Sequence, residues 1–319
     1  MILITGGAGF IGSHLSERLL QLGFKVVSLD NFDSFYDRLV KEENLKESLK
    51  SENFSFFETD IRDKKKLLAV FTKNKDISLV VHLAAKAGVR PSVQNPSEFY
   101  EVNVKGTLNI LEVMNENGLQ NLIFASSSSV YGNNKLTPYS EENKVDFPIS
   151  PYAATKKSGE LLNFTFHHLY KLNVINLRFF TVYGPRQRPD LAIHKFFNQL
   201  YTQKPIEVFG DGTTCRDYTY IDDIIEGIVS SIKYLKNNNK VFEIINLGNN
   251  SPIQLNDLIE LIEKITEKKF IKINKPMQQG DVNLTYADIS KANLLLNYFP
   301  KISIEAGIRQ FKNWYEKDN

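Results

Sequence analysis

The chain begins with a glycine-rich turn that stands directly between an apolar strand and a helical pattern. In "MILITGGAGFIGSHL" the residues Gly6, Gly9 and Gly12 follow the spacing G-x-x-G-x-x-G. Glycines at this spacing allow a tight turn, a close approach of backbone to a pyrophosphate, and close packing of the helix on the sheet. Free N–H groups at the start of the helix then face the anion. The turn therefore predicts a dinucleotide-binding fold.

A carboxylate at the end of the second strand supports this interpretation. The strand "KVVSLD" ends on Asp30, 18 residues after Gly12. A carboxylate at this place accepts hydrogen bonds from a ribose diol and repels a 2′-phosphate, so it selects NAD over NADP. Asp60 and Ile61, which follow the third strand, are expected to flank the adenine. The sequence thus predicts NAD as the cofactor.

Short apolar strands alternate with helical patterns over the first 180 residues. The predicted strands are "MILIT" (1–5), "KVVSLD" (25–30), "FSFFETD" (54–60), "LVVHLAA" (79–85), "LIFASS" (122–127) and "NVINLRFF" (173–180). Helices are predicted over 11–22, 96–117 and 152–170. Alternation of this kind indicates βαβ units, and near-continuous apolar strands indicate a parallel sheet covered on both faces. The expected fold class is α/β, a Rossmann-type doubly wound parallel sheet.

The regular alternation of strands and helices ends after residue 181. Beyond this residue, loops rich in Gly, Pro and Arg are broken by helices near 190–203 and 254–267. We expect residues 1–180 to form the NAD-binding domain, with 217–250 returning to it. Residues 181–216 and 251–319 would form a smaller C-terminal substrate-binding lobe. The polar segment 31–53 is interpreted as a solvated helix hairpin that covers the edge of the sheet.

Charge and cysteine content narrow the classes of partner. The sequence has 39 Lys and Arg residues and 37 Asp and Glu residues, so its net charge is +2. This balance gives no excess of positive charge for binding nucleic acid or an anionic membrane. The only cysteine is Cys215, so no disulfide within the chain is possible. No stretch approaches the roughly 20 apolar residues of a membrane span. No His, Cys or Asp cluster has metal-ligand spacing. A cytoplasmic protein without a metal is expected.

A tyrosine and a lysine are expected to share one helix face in "SPYAATKKSGE". Tyr152 and Lys156 are four residues apart, and residues i and i+4 lie above one another on a helix. A phenol with a pKa of about 10 is a poor base at neutral pH. A lysine ammonium one turn away, with a positive nicotinamide ring nearby, favours the phenolate and lowers that pKa. The pair therefore predicts a general base.

Four consecutive serines follow the fifth predicted strand. The run "SSSSVYG" (126–132) comes directly after the apolar "LIFA". Ligands of open parallel sheets sit beyond the carboxyl ends of the strands. The serine hydroxyls are therefore expected at the ligand cleft and not in a flexible linker.

Together these motifs resemble the extended short-chain dehydrogenase/reductase family, and the resemblance covers nearly the whole chain. It implies that Ser127 hydrogen-bonds the reacting sugar oxygen and forms the catalytic set with Tyr152 and Lys156. The cofactor-binding residues that it implies are Gly6, Gly9, Phe10, Ile11, Gly12, Asp30, Asn31, Asp60, Ile61, Leu83, Ala84, Ala85, Lys86, Asn103, Tyr152 and Lys156. For Asn103, in "EVNVKGT", a buried and satisfied amide is the alternative role.

The residues after Ser127 indicate which reaction of the family to expect. Sugar-nucleotide 4,6-dehydratases of this family have the pattern "TDEVYG" here and UDP-glucuronate decarboxylases have "TSEVYG", whereas this chain carries Ser128 and Ser129. The chain lacks the carboxyl groups that dehydration or decarboxylation would use. The resemblance therefore implies 4-epimerisation of a sugar nucleotide through a 4-keto intermediate with transient NADH.

Four blocks narrow the resemblance to UDP-glucuronate 4-epimerases, which convert UDP-glucuronate to UDP-galacturonate. They are "YAATKKSGE", "LRFFTVYGPRQRPD", "GDGTTCRDYTYIDDI" and "PMQQGDVNLTYADISKA". The implied substrate-binding residues are Arg90, Ser127, Ser128, Ser129, Thr181, Arg188, Arg216, Gln278 and Asp281. The serines, Thr181 and Arg188 would hold the carboxylate, and Arg216 the diphosphate. Gln278 stands where UDP-galactose epimerases usually have a second arginine.

Two alternatives stay open on the sequence. One is a UDP-glucose or UDP-N-acetylglucosamine 4-epimerase, and the other is a non-catalytic NAD-binding regulator that has kept the fold. The resemblance also implies a homodimer, in which helices near 96–117 and 152–170 form a four-helix interface with a second copy.

Overall fold

The computed structural model describes residues 1–276 and 283–318. Its strands are β1 (Ile2–Thr5), β2 (Val26–Asp30), β3 (Phe54–Glu58), β4 (Leu79–His82), β5 (Asn121–Ser127), β6 (Asn173–Phe179), β7 (Thr181–Tyr183), β8 (Ile206–Phe209), β9 (Cys215–Tyr220), β10 (Phe242–Leu247), β11 (Pro252–Gln254) and β12 (Lys272–Lys275).

The α-helices are α1 (Phe10–Gln21), α2 (Arg38–Leu45), α3 (Lys64–Lys73), α4 (Val89–Gln94), α5 (Pro96–Tyr100), α6 (Gly106–Glu116), α7 (Pro151–Tyr170), α8 (Ala192–Tyr201), α9 (Ile221–Asn237), α10 (Leu255–Thr266), α11 (Ser290–Leu296) and α12 (Ile304–Asp318). Short 3-10 turns cover Ser48–Lys50 and Ser128–Tyr131, and a π-helical turn covers Glu101–Lys105. None of these helices combines the length and the apolar character that a membrane crossing requires.

Seven strands form one parallel sheet in the order β3-β2-β1-β4-β5-β6-β10. The order reverses between β1 and β4, which is the place where doubly wound sheets bind dinucleotides. Residues alternate between two buried layers, so that Ile2 and Ile4 pack with Leu15 and Leu19 of α1, while Leu3 packs in the other layer. This architecture confirms the predicted α/β Rossmann-type fold.

The six strands that the sequence predicts are all present, most of them one or two residues shorter. The segment 31–53 differs from its prediction. Only α2 and a 3-10 turn are helical there, and the first seven residues form a loop. Within α2, Lys41 and Asn44 are buried, so this helix does more than cover the sheet edge in solvent. The partners of these two polar side chains lie at the end of β2 and in the glycine-rich turn.

Two small sheets lie outside the large one. One has the order β11-β9-β7 and the other pairs β12 with β8. At the start of the segment 217–250, which is expected to return to the large sheet, β9 pairs with β7 and β11 and with none of the described strands of the large sheet. The return begins with α9, which packs beside α1, and ends with β10, which pairs with β6.

Candidate active site

A cavity of about 430 Å³ runs along the carboxyl ends of the strands of the large sheet. Among the predicted residues, it is lined by Gly6, Gly9, Phe10, Ile11, Gly12, Asp30, Asn31, Asp60, Ile61, Leu83, Ala84, Ala85, Lys86, Ser127, Ser128, Ser129, Tyr152, Lys156, Thr181 and Arg188. Residues from the first 61 positions and from positions 127–188 therefore meet in one cleft. Its lining also includes residues that sequence reasoning missed, among them Asp33, Phe35, Tyr36, Lys41, Thr59 and Ser126.

The glycine-rich turn forms one wall of this cavity. Gly6 has a φ of +74°, and a Cβ there would lie 2.8 Å from the backbone nitrogen of Ala84. A Cβ at Gly12 would collide with the carbonyl of Gly6, so α1 can start this close to β1 only without a side chain. Gly9 caps α1 with no side-chain hydrogen bond. This wall fits a pyrophosphate, because bare backbone and a helix N-terminus face the space.

Two carboxylates face the cavity beyond the turn. Asp30 Oδ1 accepts from the N–H of Phe32 at 2.8 Å, and Oδ2 accepts from the N–H of Ala8 at 3.2 Å. Burial opposes the charge of Asp60, but hydrogen bonds from Arg62 and Asn31 outweigh it and lower the pKa of Asp60 to about 2. The structure thus places acceptors for sugar hydroxyls at the expected ends of β2 and β3.

Tyr152 and Lys156 lie on α7, whose start is fixed by two residues. Ser150 Oγ accepts from the N–H of Ala153 at 3.1 Å, and Pro151 occupies the first turn. Both are favoured at a helix N-terminus. Tyr152 is therefore held in the first turn, at the mouth of the cavity, and Lys156 lies one turn further inside.

Lys156 is deeply buried, and its ammonium donates to the carbonyl of Ala125 at 2.7 Å. Burial lowers the pKa of Lys156 to about 7. Burial also raises the pKa of Tyr152, against the opposing effects of a hydrogen bond with Ser127 and of the Arg188 charge. The ammonium of Lys156 is directed to the end of β5, so a lowered pKa of Tyr152 depends on the charge of the nicotinamide ring and stays a prediction.

The four serines divide between two roles. Ser126 Oγ turns inward and donates to Glu160 Oε1 at 2.7 Å, where Arg178 completes a buried ion pair with Nε at 2.8 Å. Ser127 ends β5 and accepts from the N–H of Ser129 at 3.1 Å, which starts the 3-10 turn. Ser126 thus belongs to the scaffold under the site, while the next three serines line the cavity.

Glu160 and Arg178 are functional supports that the sequence interpretation missed. Both side chains are 1% exposed, and Arg178 NH2 also reaches Glu160 Oε2 at 2.9 Å. Their ion pair joins β6 to α7 one turn beyond Lys156. A signal was present, because Glu160 continues the i, i+4 row that Tyr152 and Lys156 begin.

Arg188 lines the other side of the cavity, beside Thr181. Its Nε and NH2 donate to the two carboxylate oxygens of Asp190 at 2.9 and 2.7 Å. Its guanidinium carbon lies 5.0 Å from the ring centroid of Phe35, and NH2 reaches the carbonyl of Ala87 at 3.4 Å. These contacts hold the side chain of Arg188 in the cleft, so it is not an exposed surface arginine.

Several predicted residues do not line the cavity. Asn103 is 2% exposed, and its amide binds the backbone N–H and carbonyl of Lys86 at 2.8 and 2.9 Å, so it acts through Lys86 and does not reach the cofactor space. Arg90 lies 5.2 Å from the ring centroid of Phe209. Arg216 NH1 donates to its neighbour's carbonyl. Gln278 and Asp281 lie outside the described residues.

Comparisons with known proteins agree with this arrangement. The family model described as GDP-mannose 4,6 dehydratase matches residues 3–311. A UDP-glucuronate 4-epimerase of Thermodesulfobacterium geofontis is 48% identical over 99% of this chain and 96% of its own length. UDP-glucuronate 4-epimerase 4 of Arabidopsis thaliana is 39% identical over 98% of this chain and 75% of its own length.

Comparison with solved structures also finds similarity to UDP-sugar 4-epimerases. The Bacillus cereus UDP-glucuronic acid 4-epimerase, in complex with UDP-glucuronic acid and NAD, has a TM-score of 0.92 at 38% identity, covering 100% of this chain and 99% of that one. The Thermotoga maritima UDP-glucose 4-epimerase, with UDP-glucose, has a TM-score of 0.90 at 33% identity, covering 99% of each chain. This chain, whose cleft contains the glycine-rich turn, Tyr152 and Lys156, therefore belongs to the extended short-chain dehydrogenase/reductase family.

Proposed function

We propose that this protein interconverts UDP-glucuronate and UDP-galacturonate by epimerisation at C4, with NAD as a bound cofactor. The observation that carries the proposal is the lining of one cavity, which brings Ser128, Ser129, Thr181 and Arg188 together with Tyr152. These are donors suited to a carboxylate. The relatives named as UDP-glucuronate 4-epimerases support the same substrate.

The phenolate of Tyr152 takes the proton of the sugar 4-OH, and Ser127 hydrogen-bonds the same oxygen. The hydrogen bond between Ser127 and Tyr152 supports this pairing. Lys156 holds the end of β5 through the Ala125 carbonyl and places its amino group next to the cofactor space. NAD, held by the glycine-rich turn, Asp30 and Lys156, would supply a hydride acceptor for C4 and a positive charge that favours the phenolate of Tyr152.

A uronate needs more than this pair, because its 4-keto form is a β-keto acid that loses CO₂ when the bond to the carboxylate aligns with the carbonyl π system. Several hydrogen bonds that fix the carboxylate away from this alignment suppress the loss. Charge-assisted hydrogen bonds are about twice as strong as neutral ones. Arg188 therefore contributes most to holding the substrate carboxylate. Ser128, Ser129 and Thr181 supply further donors.

Dehydration, the activity in the name of the matching family model, is not supported by the lining. The carboxylates among the described lining residues are Asp30, Asp33 and Asp60, which follow β2 and β3. Serines occupy positions 128 and 129, where the acid pair of a dehydratase would stand. The neutral-sugar alternative is supported by the Thermotoga maritima structure, but a neutral sugar offers no carboxylate to the Arg188 guanidinium, which Asp190 holds in the cleft.

The roles of four further residues are part of the proposal. Arg216 offers a forked donor set that suits a diphosphate. Arg90, Gln278 and Asp281 are assigned to substrate binding by family resemblance, Arg90 without a specific role. We also propose that residues 1–180 and the returning 221–250 bind NAD, and that the remaining segments bind the sugar nucleotide.

A homodimer and a cytoplasmic location complete the proposal. Leu161 and Phe164 on the outer face of α7 are 57% and 51% exposed. Large apolar side chains one turn apart on an open helix face favour packing against a second copy. The single cysteine is consistent with a reducing compartment.

The proposal is tested by incubating the purified protein with UDP-glucuronate and, separately, with UDP-glucose, and by separating the products by chromatography. UDP-galacturonate is the expected product, with little turnover of UDP-glucose. Tyr152→Phe should stop product formation and keep NAD bound. Arg188→Ala should weaken UDP-glucuronate turnover and release a decarboxylated UDP-pentose. Preferential turnover of UDP-glucose, unaffected by Arg188→Ala, would support the neutral-sugar epimerase instead.

A further inference from the structure

A buried lysine stands next to the carboxylate that is expected to select NAD. Lys41 lies on α2, is 5% exposed, and lines the same cavity as Asp30. Its ammonium lies 3.5 Å from Asp30 Oδ1, and both side chains of this ion pair are 7% exposed. The end of β2 therefore carries a compensated pair of charges and not the isolated negative charge that the sequence pattern predicts.

The surrounding contacts fix Lys41 in this place. Asn44, one turn further along α2, donates to the carbonyl of Ala8 in the glycine-rich turn at 3.0 Å. Arg38 at the start of the helix holds both oxygens of Glu58 on β3, at 3.0 and 2.8 Å. The helix is thus docked at both ends, and its only lysine that lines the cavity is Lys41.

The ammonium also keeps donor capacity toward the cavity. A lysine has three N–H donors, and the contact to Asp30 is long for a charge-assisted hydrogen bond. The ring of Tyr36, another lining residue, lies with its centroid 5.0 Å from Lys41 Nζ. Asp30 in turn is occupied by the N–H groups of Phe32 and Ala8.

We propose that Lys41 makes the adenosine end of this cavity a latent binding site for a 2′-phosphate, which Asp30 masks. A carboxylate at the end of β2 repels a 2′-phosphate, and an adjacent ammonium attracts it. The chain therefore rejects NADP less strongly than Asp30 alone would, and removal of the Asp30 charge unmasks the site. The proposal concerns the dinucleotide only and does not depend on which sugar is epimerised.

Four forms of the full chain test it: wild type, Asp30→Asn, Lys41→Met and Asp30→Asn/Lys41→Met. The dissociation constants of NADH and NADPH are measured by the fluorescence of the reduced nicotinamide. We expect Asp30→Asn to lower the dissociation constant of NADPH by about tenfold or more. A change of this size corresponds to the free energy of one hydrogen bond to a charged group. Lys41→Met should weaken NADPH binding by a similar factor and change NADH binding much less.

The double variant decides the outcome. It carries neither buried charge, so it stays informative even where Lys41→Met, which leaves Asp30 unpaired, does not fold. The gain in NADPH affinity should disappear in the double variant and persist in Asp30→Asn/Lys41→Arg. Lys46→Met, on an exposed lysine immediately after α2, is the matched control and should leave both constants unchanged. An equal gain with and without Lys41, or an equal effect of Lys41→Met on both dinucleotides, would overturn the proposal.

Discussion

Replacement of Lys156 by methionine should change how the stability of the protein depends on pH. Burial lowers the pKa of this ammonium from 10.5 to about 7 in the folded chain, whereas the unfolded chain keeps the ordinary value. Between these two values the unfolded state binds more protons than the folded state. The free energy of unfolding of the wild type should therefore rise with pH in this window.

The size of the effect follows from the two pKa values. Each pKa unit corresponds to about 1.4 kcal/mol, so the Lys156 contribution between pH 7.5 and 9.5 amounts to about 2–3 kcal/mol. Tyr152 does not disturb this window, because burial raises its pKa above the ordinary value of 10. Methionine has a similar shape without the charge, and the variant should lose this part of the slope.

The assay is urea unfolding of wild type and Lys156→Met at several pH values, both freed of nucleotide and followed by circular dichroism. The difference between the two free energies of unfolding should grow by about 2–3 kcal/mol from pH 7.5 to 9.5, in favour of the wild type. Lys46→Met serves as a control in which no such change is expected. Parallel pH profiles of wild type and Lys156→Met would refute the interpretation that burial neutralises this lysine.

Two further predictions concern the scaffold and the assembly. Arg178→Met leaves Glu160 buried without its partner and should lower the free energy of unfolding by about 3–5 kcal/mol, while Glu160→Gln/Arg178→Met should recover most of this loss. Equal destabilisation of the single and double variants in urea unfolding would contradict the ion-pair argument. Phe164→Asp places a charge on the exposed apolar face of α7 and should give a monomer by light scattering at micromolar concentration, where we expect the wild type to be a dimer. A wild-type monomer under the same conditions would contradict the proposed interface.

The strands and the glycine-rich turn could be predicted because their causes are local. A strand that is buried on both faces is mostly apolar, as Leu79, Val80 and Val81 of β4 are beside the single polar residue His82. Gly6 and Gly12 are required by contacts within the first strand–helix unit and its neighbour β4. The row of Tyr152 and Lys156 follows from helix periodicity alone. The cause of each of these features therefore lies in a short stretch of sequence.

The buried polar side chains could not be predicted in the same way, because their partners are distant in sequence. Lys41 is buried since Asp30 is there to receive its charge, and Arg178 is buried since Glu160 is. Hydrophobic periodicity classes such residues as solvated. The change of Asn103 from a cofactor ligand to a support for Lys86 has the same origin. Polar burial depends on the tertiary fold, which places both partners together.

The altered expectation for Tyr152 shows the limit of reasoning from spacing. Four residues on a helix place Lys156 on the same face, but they do not say which acceptor the ammonium selects. The carbonyl of Ala125 at 2.7 Å is that acceptor in this chain. Tyr152 instead shares a hydrogen bond with Ser127, at the end of the neighbouring strand.

The central claim, reversible hydride removal at C4 within a closed cleft, is tested most directly with UDP-glucuronate that carries deuterium at C4. The protein should convert it to UDP-galacturonate that retains the deuterium at C4, as mass spectrometry and proton NMR of the product would show, because the hydride leaves and returns without meeting solvent. Product that has exchanged the label for solvent hydrogen, or epimerisation at C5 with solvent hydrogen incorporated there, would contradict the account.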